Sequence, residues 1–123
     1  MTLPTTDADL ETAFTYQDYL DVASDDTVRV PQVGYRYGIF LFKDKNANNT
    51  NAIQVEWNGQ STVAPSSTKV VLQIYDRNGG VWEDIQENNA ALANTDFTLS
   101  GTITVDLDHY YDANFWVACR VYQ

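Results

Sequence analysis

The chain has 123 residues, 44% of them apolar and 13% aromatic, with 17 acidic against 7 basic side chains and a formal charge of −10. That length suits one ordinary domain, and the apolar content is too high for a disordered acidic chain. Seven scattered cations weigh against a nucleic-acid surface, no apolar run approaches the roughly 18 residues of a membrane-spanning helix, and the single cysteine, Cys119, excludes an internal disulfide or a cysteine zinc site.

The N-terminal segment stands apart from the rest. Residues 1–26 hold Asp7, Asp9, Glu11, Asp18, Asp21, Asp25 and Asp26 with no Lys or Arg. Without a basic end or a continuous apolar stretch, the segment does not read as a secretory signal. It reads as an acidic arm or edge segment ahead of a domain spanning 27–123. Within it, Thr12, Thr15, Tyr16 and Tyr19 favour extended structure over a loose helical stripe of Leu10, Phe14 and Leu20. That predicts an arm over 1–12 and an edge strand over Phe14–Val22.

From Thr27 onward the pattern is β. Tyr35–Phe42 is almost continuously apolar or aromatic, as in a strand covered on both faces. Ile53, Val55 and Trp57 alternate with Gln54, Glu56 and Asn58, and Asn58-Gly59 supplies a turn signal. Val70, Leu72 and Ile74 alternate in turn, and Asp76-Arg77-Asn78-Gly79-Gly80 reverses the chain into Val81–Ile85. Phe97 and Leu99 precede a break at Ser100-Gly101, and Ile103 and Val105 follow it. In the last strand Phe115, Val117, Cys119 and Val121 share one face, with Trp116, Ala118, Arg120 and Tyr122 on the other. The expected fold is all-β: an antiparallel β-sandwich, jelly roll or Greek key, of about eight strands with an N-terminal arm. Its expected core is Ile53, Val55, Trp57, Val70, Leu72, Ile74, Phe115, Val117 and Val121.

Residues suited to catalysis do not converge in the sequence. His109, the only histidine, sits in the polar run Asp106–Asp112, with no nucleophile elbow anywhere and Cys119 on a core face. Seventeen acids supply many accidental carboxylate pairs, so pairing alone points to no glycosidase chemistry. The expectation is therefore a non-enzyme without a required cofactor. Asp44-Lys45-Asn46-Ala47-Asn48-Asn49 resembles the start of a calcium loop but lacks the closing acid. A richer weak Ca²⁺ site would be Asp106, Asp108 and Asp112, if the fold gathers them. Asn48-Asn49-Thr50 is a glycosylation acceptor sequence. Aromatic side chains stack on sugars or anchor protein interfaces, which makes Trp82, Trp116, Tyr110 and Tyr111 candidate glycan contacts.

The run Val70-Val71-Leu72-Gln73-Ile74-Tyr75-Asp76-Arg77-Asn78-Gly79-Gly80-Val81-Trp82-Glu83-Asp84-Ile85 resembles a hairpin of jelly-roll modules in virion and surface proteins. The ending Tyr110–Tyr122 looks like the closing strand of the same modules, galactose-binding-like sandwiches among them. The resemblance implies a fold and a class of role, with no ligand motif falling on particular positions. Such modules serve as phage capsid or tail components, adhesive surface domains or carbohydrate-binding modules.

The expected function is a structural subunit of a larger assembly, such as a phage capsid decoration protein, tail component or surface fibre. Its partners would be copies of itself or a scaffold, and its place the virion or the cell surface. The alternative is a carbohydrate-binding module. Leu10, Phe14, Tyr16 and Tyr19 are the expected assembly contacts, because a purely solubilising acidic tail has no need of apolar side chains.

Overall fold

The computed structural model describes residues 3–8, 15–21 and 39–123. In chain order the elements are α1 (Tyr16–Asp21), β1 (Ile39–Lys45), β2 (Ile53–Gly59), β3 (Val70–Asp76), β4 (Val81–Asn88), β5 (Phe97–Ile103), a 3₁₀ turn (Leu107–His109) and β6 (Trp116–Tyr122). The strands form two antiparallel sheets, one of four strands in the order β1-β6-β3-β4 and one of two, β2-β5. The sequence predicts about eight strands, and six lie among the described residues. The start of the Tyr35–Phe42 stretch falls outside them.

Alternation decides what lies between the sheets. Ile53 and Val55 of β2 and Leu99 of β5 meet Val70, Leu72 and Ile74 of β3 and Val117, Cys119 and Val121 of β6 in one buried cluster. Of the expected core, only Trp57 and Phe115 are partly rather than fully buried. The Trp57 ring lies between Phe40 and Phe97, with centroids 6.5 and 5.5 Å away. Phe115 sits just before β6 with a left-handed φ of 67°.

The two sheets close against each other along β4 and β5. A bulge at Leu72/Gln73 shifts the β3–β4 register and brings Ile85 and Gln86 to face the smaller sheet. The Ser100 N–H donates to Gln86 Oε1 at 2.7 Å. A Cβ on Gly101 would fall 2.2 Å from Ile85 Cγ2, so this position must be glycine for the strands to approach. Gly101 is therefore a packing residue, and Ser100-Gly101 does not break the strand as the sequence suggests. Asn58-Gly59 is likewise the end of β2 rather than a turn. Asn58 Nδ2 donates to Thr98 Oγ1 at 3.0 Å, and Trp57 folds over Gly59.

The turn at 76–80 forms as the sequence expects. Asp76 Oδ1 accepts the N–H groups of Asn78 (2.8 Å) and Gly79 (3.1 Å), and Gly80 takes a φ of 66°. The expected edge strand over Phe14–Val22 is overturned, because Tyr16–Asp21 is helical. Thr15 and Asp18 cap one another: the Thr15 N–H donates to Asp18 Oδ2 at 2.7 Å and the Asp18 N–H to Thr15 Oγ1 at 3.2 Å. This capping box outweighs the β propensity of the threonine and tyrosines.

Leu72 is fully buried at the centre of the core. Leu72→Ala is expected to destabilise the protein by about 2–5 kcal/mol in denaturant titration. An unchanged midpoint would contradict this packing.

Candidate functional site

Strand alternation sends Val71, Gln73 and Tyr75 of β3 and Trp116, Ala118, Arg120 and Tyr122 of β6 to the face opposite the core. The outer face of a sandwich ordinarily meets solvent. Here Val71 and Ala118 are 0% exposed, Gln73 8% and Arg120 5%. The N-terminal residues 3–8 lie against this face. Arg120 Nη1 donates to the Pro4 carbonyl at 2.6 Å, and Arg77 Nη1 meets Asp7 Oδ2 at 2.7 Å.

Arg120 organises the centre of the face. Its Nε donates to Gln73 Oε1 at 2.8 Å, and Gln73 Nε2 passes the polarity on to Asp84 Oδ1 at 2.6 Å. The guanidinium stacks 4.3 Å from the Trp82 ring centroid and 5.6 Å from that of Tyr122. Burial pushes the Arg120 pKa below its ordinary value, and the Asp84 carboxylate works against that shift. Arg77, in the β3–β4 turn, donates from Nε to the Tyr110 carbonyl at 3.0 Å and lies 5.6 Å from the Tyr75 ring centroid. Its backbone N–H donates to the His109 carbonyl at 2.7 Å. One arginine thus ties the N-terminal segment to the 3₁₀ turn. The sequence offered one signal for this face, a small residue and two aromatics alternating with Arg120 in β6, and its meaning emerges only once Pro4 and Asp7 are in place.

The candidate glycan contacts have separate fates. Trp82 is half-buried under Arg120. Among the described residues its buried Nε1 has no hydrogen-bond partner. Tyr110 donates its hydroxyl to Glu83 Oε2 at 2.7 Å. That bond, with burial adding to it, pushes its pKa up to about 12. Tyr111 is buried, its hydroxyl donating to the Asn51 carbonyl at 2.9 Å and accepting from Asn46 Nδ2 at 3.0 Å. Trp116, 39% exposed, is the most exposed of the four, Trp82 and Tyr110 being half-buried.

The candidate metal ligands are not gathered. Among the described residues no three His, Cys, Asp or Glu side chains converge. Asp106 precedes the 3₁₀ turn with a left-handed φ of 50°, and Asp108 is exposed. Asp112 Oδ1 instead accepts the N–H groups of Asn114 (2.8 Å) and Trp116 (2.9 Å), shaping the turn into β6. The Asn46–Asn51 loop is satisfied internally in the same way, with Asn48 Oδ1 accepting the N–H groups of Thr50 and Asn51 and the Thr50 hydroxyl.

On the side away from β4 and β5, a cleft of about 210 Å³ opens between β1 and β2. Phe42, Ile53, Val55, Val117 and Cys119 give it an apolar floor, and Asp44, Asn46 and Tyr111 lie at its rim. Burial pushes the Cys119 thiol up to about 12, so it carries almost no thiolate at neutral pH.

Of the expected assembly contacts, Leu10 and Phe14 lie outside the described residues, as does the side chain of Tyr19, which belongs to α1. Tyr16 is 79% exposed, and Leu20, four residues on and thus on the same side of the helix, is 48% exposed. Comparison with protein families, curated proteins and solved structures finds no match to this chain.

Partial burial works to raise the Asp112 pKa, but the backbone N–H groups of Trp116 and Asn114 outweigh it and hold the carboxyl below its ordinary value. A depressed carboxylate stabilises the fold above its unfolded pKa, and that contribution is lost as pH falls through the folded value. Asp112→Asn is expected to flatten the acid-side decline of the melting temperature below about pH 4, relative to the parent. Arg120→Ala strips the partner from Gln73 and from the Pro4 carbonyl. It is expected to cost about 1–3 kcal/mol for each polar group left buried and unpaired, read by denaturant titration.

Proposed function

We propose that this is a non-enzymatic interaction protein, a subunit of a larger assembly such as a phage capsid decoration protein, tail component or surface fibre. In this reading it packs against copies of itself or a scaffold, in a virion or at a cell surface. The observation that carries the reading is α1, which turns Tyr16 and Leu20 to solvent from one side of a short helix. Each such side chain gains about 1.5–3 kcal/mol when a partner covers it. The burial of β3 and β6 on both faces supports the same reading, since a rigid central frame suits a part that bears load in an assembly. The placing of β6 between β1 and β3, with β5 returning to β2, supports the jelly-roll form of the sandwich. The formal charge of −10 favours a basic scaffold surface and a contact that weakens with salt.

For a carbohydrate-binding module the favouring observation is the half-open Trp116 ring. Trp82, Tyr110 and Tyr111 are engaged within the fold, which leaves that reading second. Any calcium bound would be held weakly, the Asp112 carboxylate being engaged by backbone N–H groups.

Light scattering tests the choice. The expected mass is a multiple of 13.9 kDa, returning to that of one chain in Tyr16→Ser/Leu20→Ser with an unchanged far-UV spectrum. A parent protein that stays monomeric and binds a glycan array would replace the assembly reading with the lectin one.

A further inference from the structure

The inner face of β1 departs from the pattern that builds the rest of the core. Alternation points Phe40, Phe42 and Asp44 toward the smaller sheet, in register with Val121, Cys119 and Val117 of β6. The chain turns back through residues 46–52, so steps forward along β1 match steps back along β2. Phe40 closes on Trp57, with ring centroids 6.5 Å apart. One step on, Phe42 and Val55 both line the cleft. At the third step Asp44 stands where another apolar side chain would seal the sheets beside Ile53, and the cleft of about 210 Å³ opens there.

A carboxylate at that position forgoes an apolar contact, and the fold makes little use of it. Asp44 Oδ1 accepts the Lys45 N–H at 2.8 Å, and Oδ2 has no partner among the described residues. Lys45 alternates to the other face, where its charge helps to hold the Asp112 carboxyl down. Asn46 and Tyr111, at the same rim, are bonded to each other. Glu56, the other acid beside the cleft, alternates with buried Val55 and so leaves β2 on the side away from the core. The cleft thus combines an apolar floor with one uncommitted carboxylate oxygen at its mouth.

A cation with an apolar body meets both parts. An apolar cavity of about 150 Å³ takes a molecule the size of benzene, and a carboxylate donates nothing but accepts a charge-assisted bond from an ammonium group. The formal charge of −10 works in the same direction, drawing cations in and opposing anions. We propose that the cleft between β1 and β2 is a binding site for a small organic amine, protonated at neutral pH. Its apolar body lies over Phe42, Val55 and Cys119, and its ammonium group donates to the Asp44 carboxylate. The site lies within one chain and stands or falls independently of the assembly reading.

Titration of the full chain, ¹⁵N-enriched, with 2-phenylethylamine tests the site by NMR. Three comparison compounds separate its parts: neutral 2-phenylethanol, the anion phenylacetate, and ethylamine, which has the charge without the ring. The expected result is saturable movement of the Val55, Val117 and Cys119 amide signals. The amine is expected to bind about tenfold more tightly than the alcohol, with phenylacetate and ethylamine both weaker than the amine. Asp44 is exposed, and Asp44→Asn keeps an acceptor for the Lys45 N–H. That variant is expected to bind amine and alcohol alike, with the alcohol bound as in the parent. Signals that stay fixed overturn the site, as does an alcohol bound as tightly as the amine in the parent. Ethylamine matching 2-phenylethylamine shows cations gathering on an acidic surface and also overturns it. An amine preference that survives Asp44→Asn does the same.

Discussion

The architecture depends on a cation held where a sheet would normally end in water. Arg120 lies in the outer face of the four-stranded sheet, 5% exposed, between the Gln73 carboxamide, the Trp82 ring and the Pro4 carbonyl. A buried guanidinium is costly unless its donors are met, and the stacked ring lowers that cost by offering a negative π-face. The remaining compensation reaches Asp84 through Gln73. Because part of the set comes from residue 4 and the rest from β3 and β4, the N-terminal segment completes the domain's polar accounting.

That constraint buries the two central strands of the sheet, β3 and β6, on both faces. Its inner face contributes Val70, Leu72, Ile74, Val117, Cys119 and Val121 to the core, and its outer face buries Val71 and Ala118. Burial on both sides accounts for the unbroken run of buried residues from Val117 to Val121 in β6. Among the described residues the smaller sheet has two strands and meets the larger one along β4 and β5, where Gly101 lets Ile85 close in. On the far side a cleft opens between β1 and β2.

The polar loops spend their side chains on their own backbones. Asp76, Asn48 and Asp112 each accept N–H groups two to four residues ahead, fixing turns that need no partner. Of the carboxylates that look available for metal in the sequence, Asp112 is thus committed to shape. The exposed apolar groups of α1 are of a different kind, since a helix of six residues gains nothing locally by presenting Tyr16 and Leu20 to water.

The sequence by itself determined the β class, the faces of β2, β3 and β6 and most of the core, because period-two alternation is a local property written in consecutive residues. It also carried the turn at Asp76–Gly80, whose chemistry is confined to five positions. The helix at Tyr16–Asp21 was encoded locally too, in the Thr15–Asp18 reciprocal cap, a stronger signal than the β propensities that mask it. Tertiary structure alone decided that Gly101 and Gly59 serve packing rather than turning, since the Ile85 side chain that claims the space at Gly101 belongs to a different strand. It alone set Trp82 under Arg120 and joined Arg120 to Pro4 and Arg77 to Asp7, the last two pairs separated by 116 and 70 positions. Contacts at such separation leave no periodicity in the chain, because they are set by which faces the folded sheets bring together.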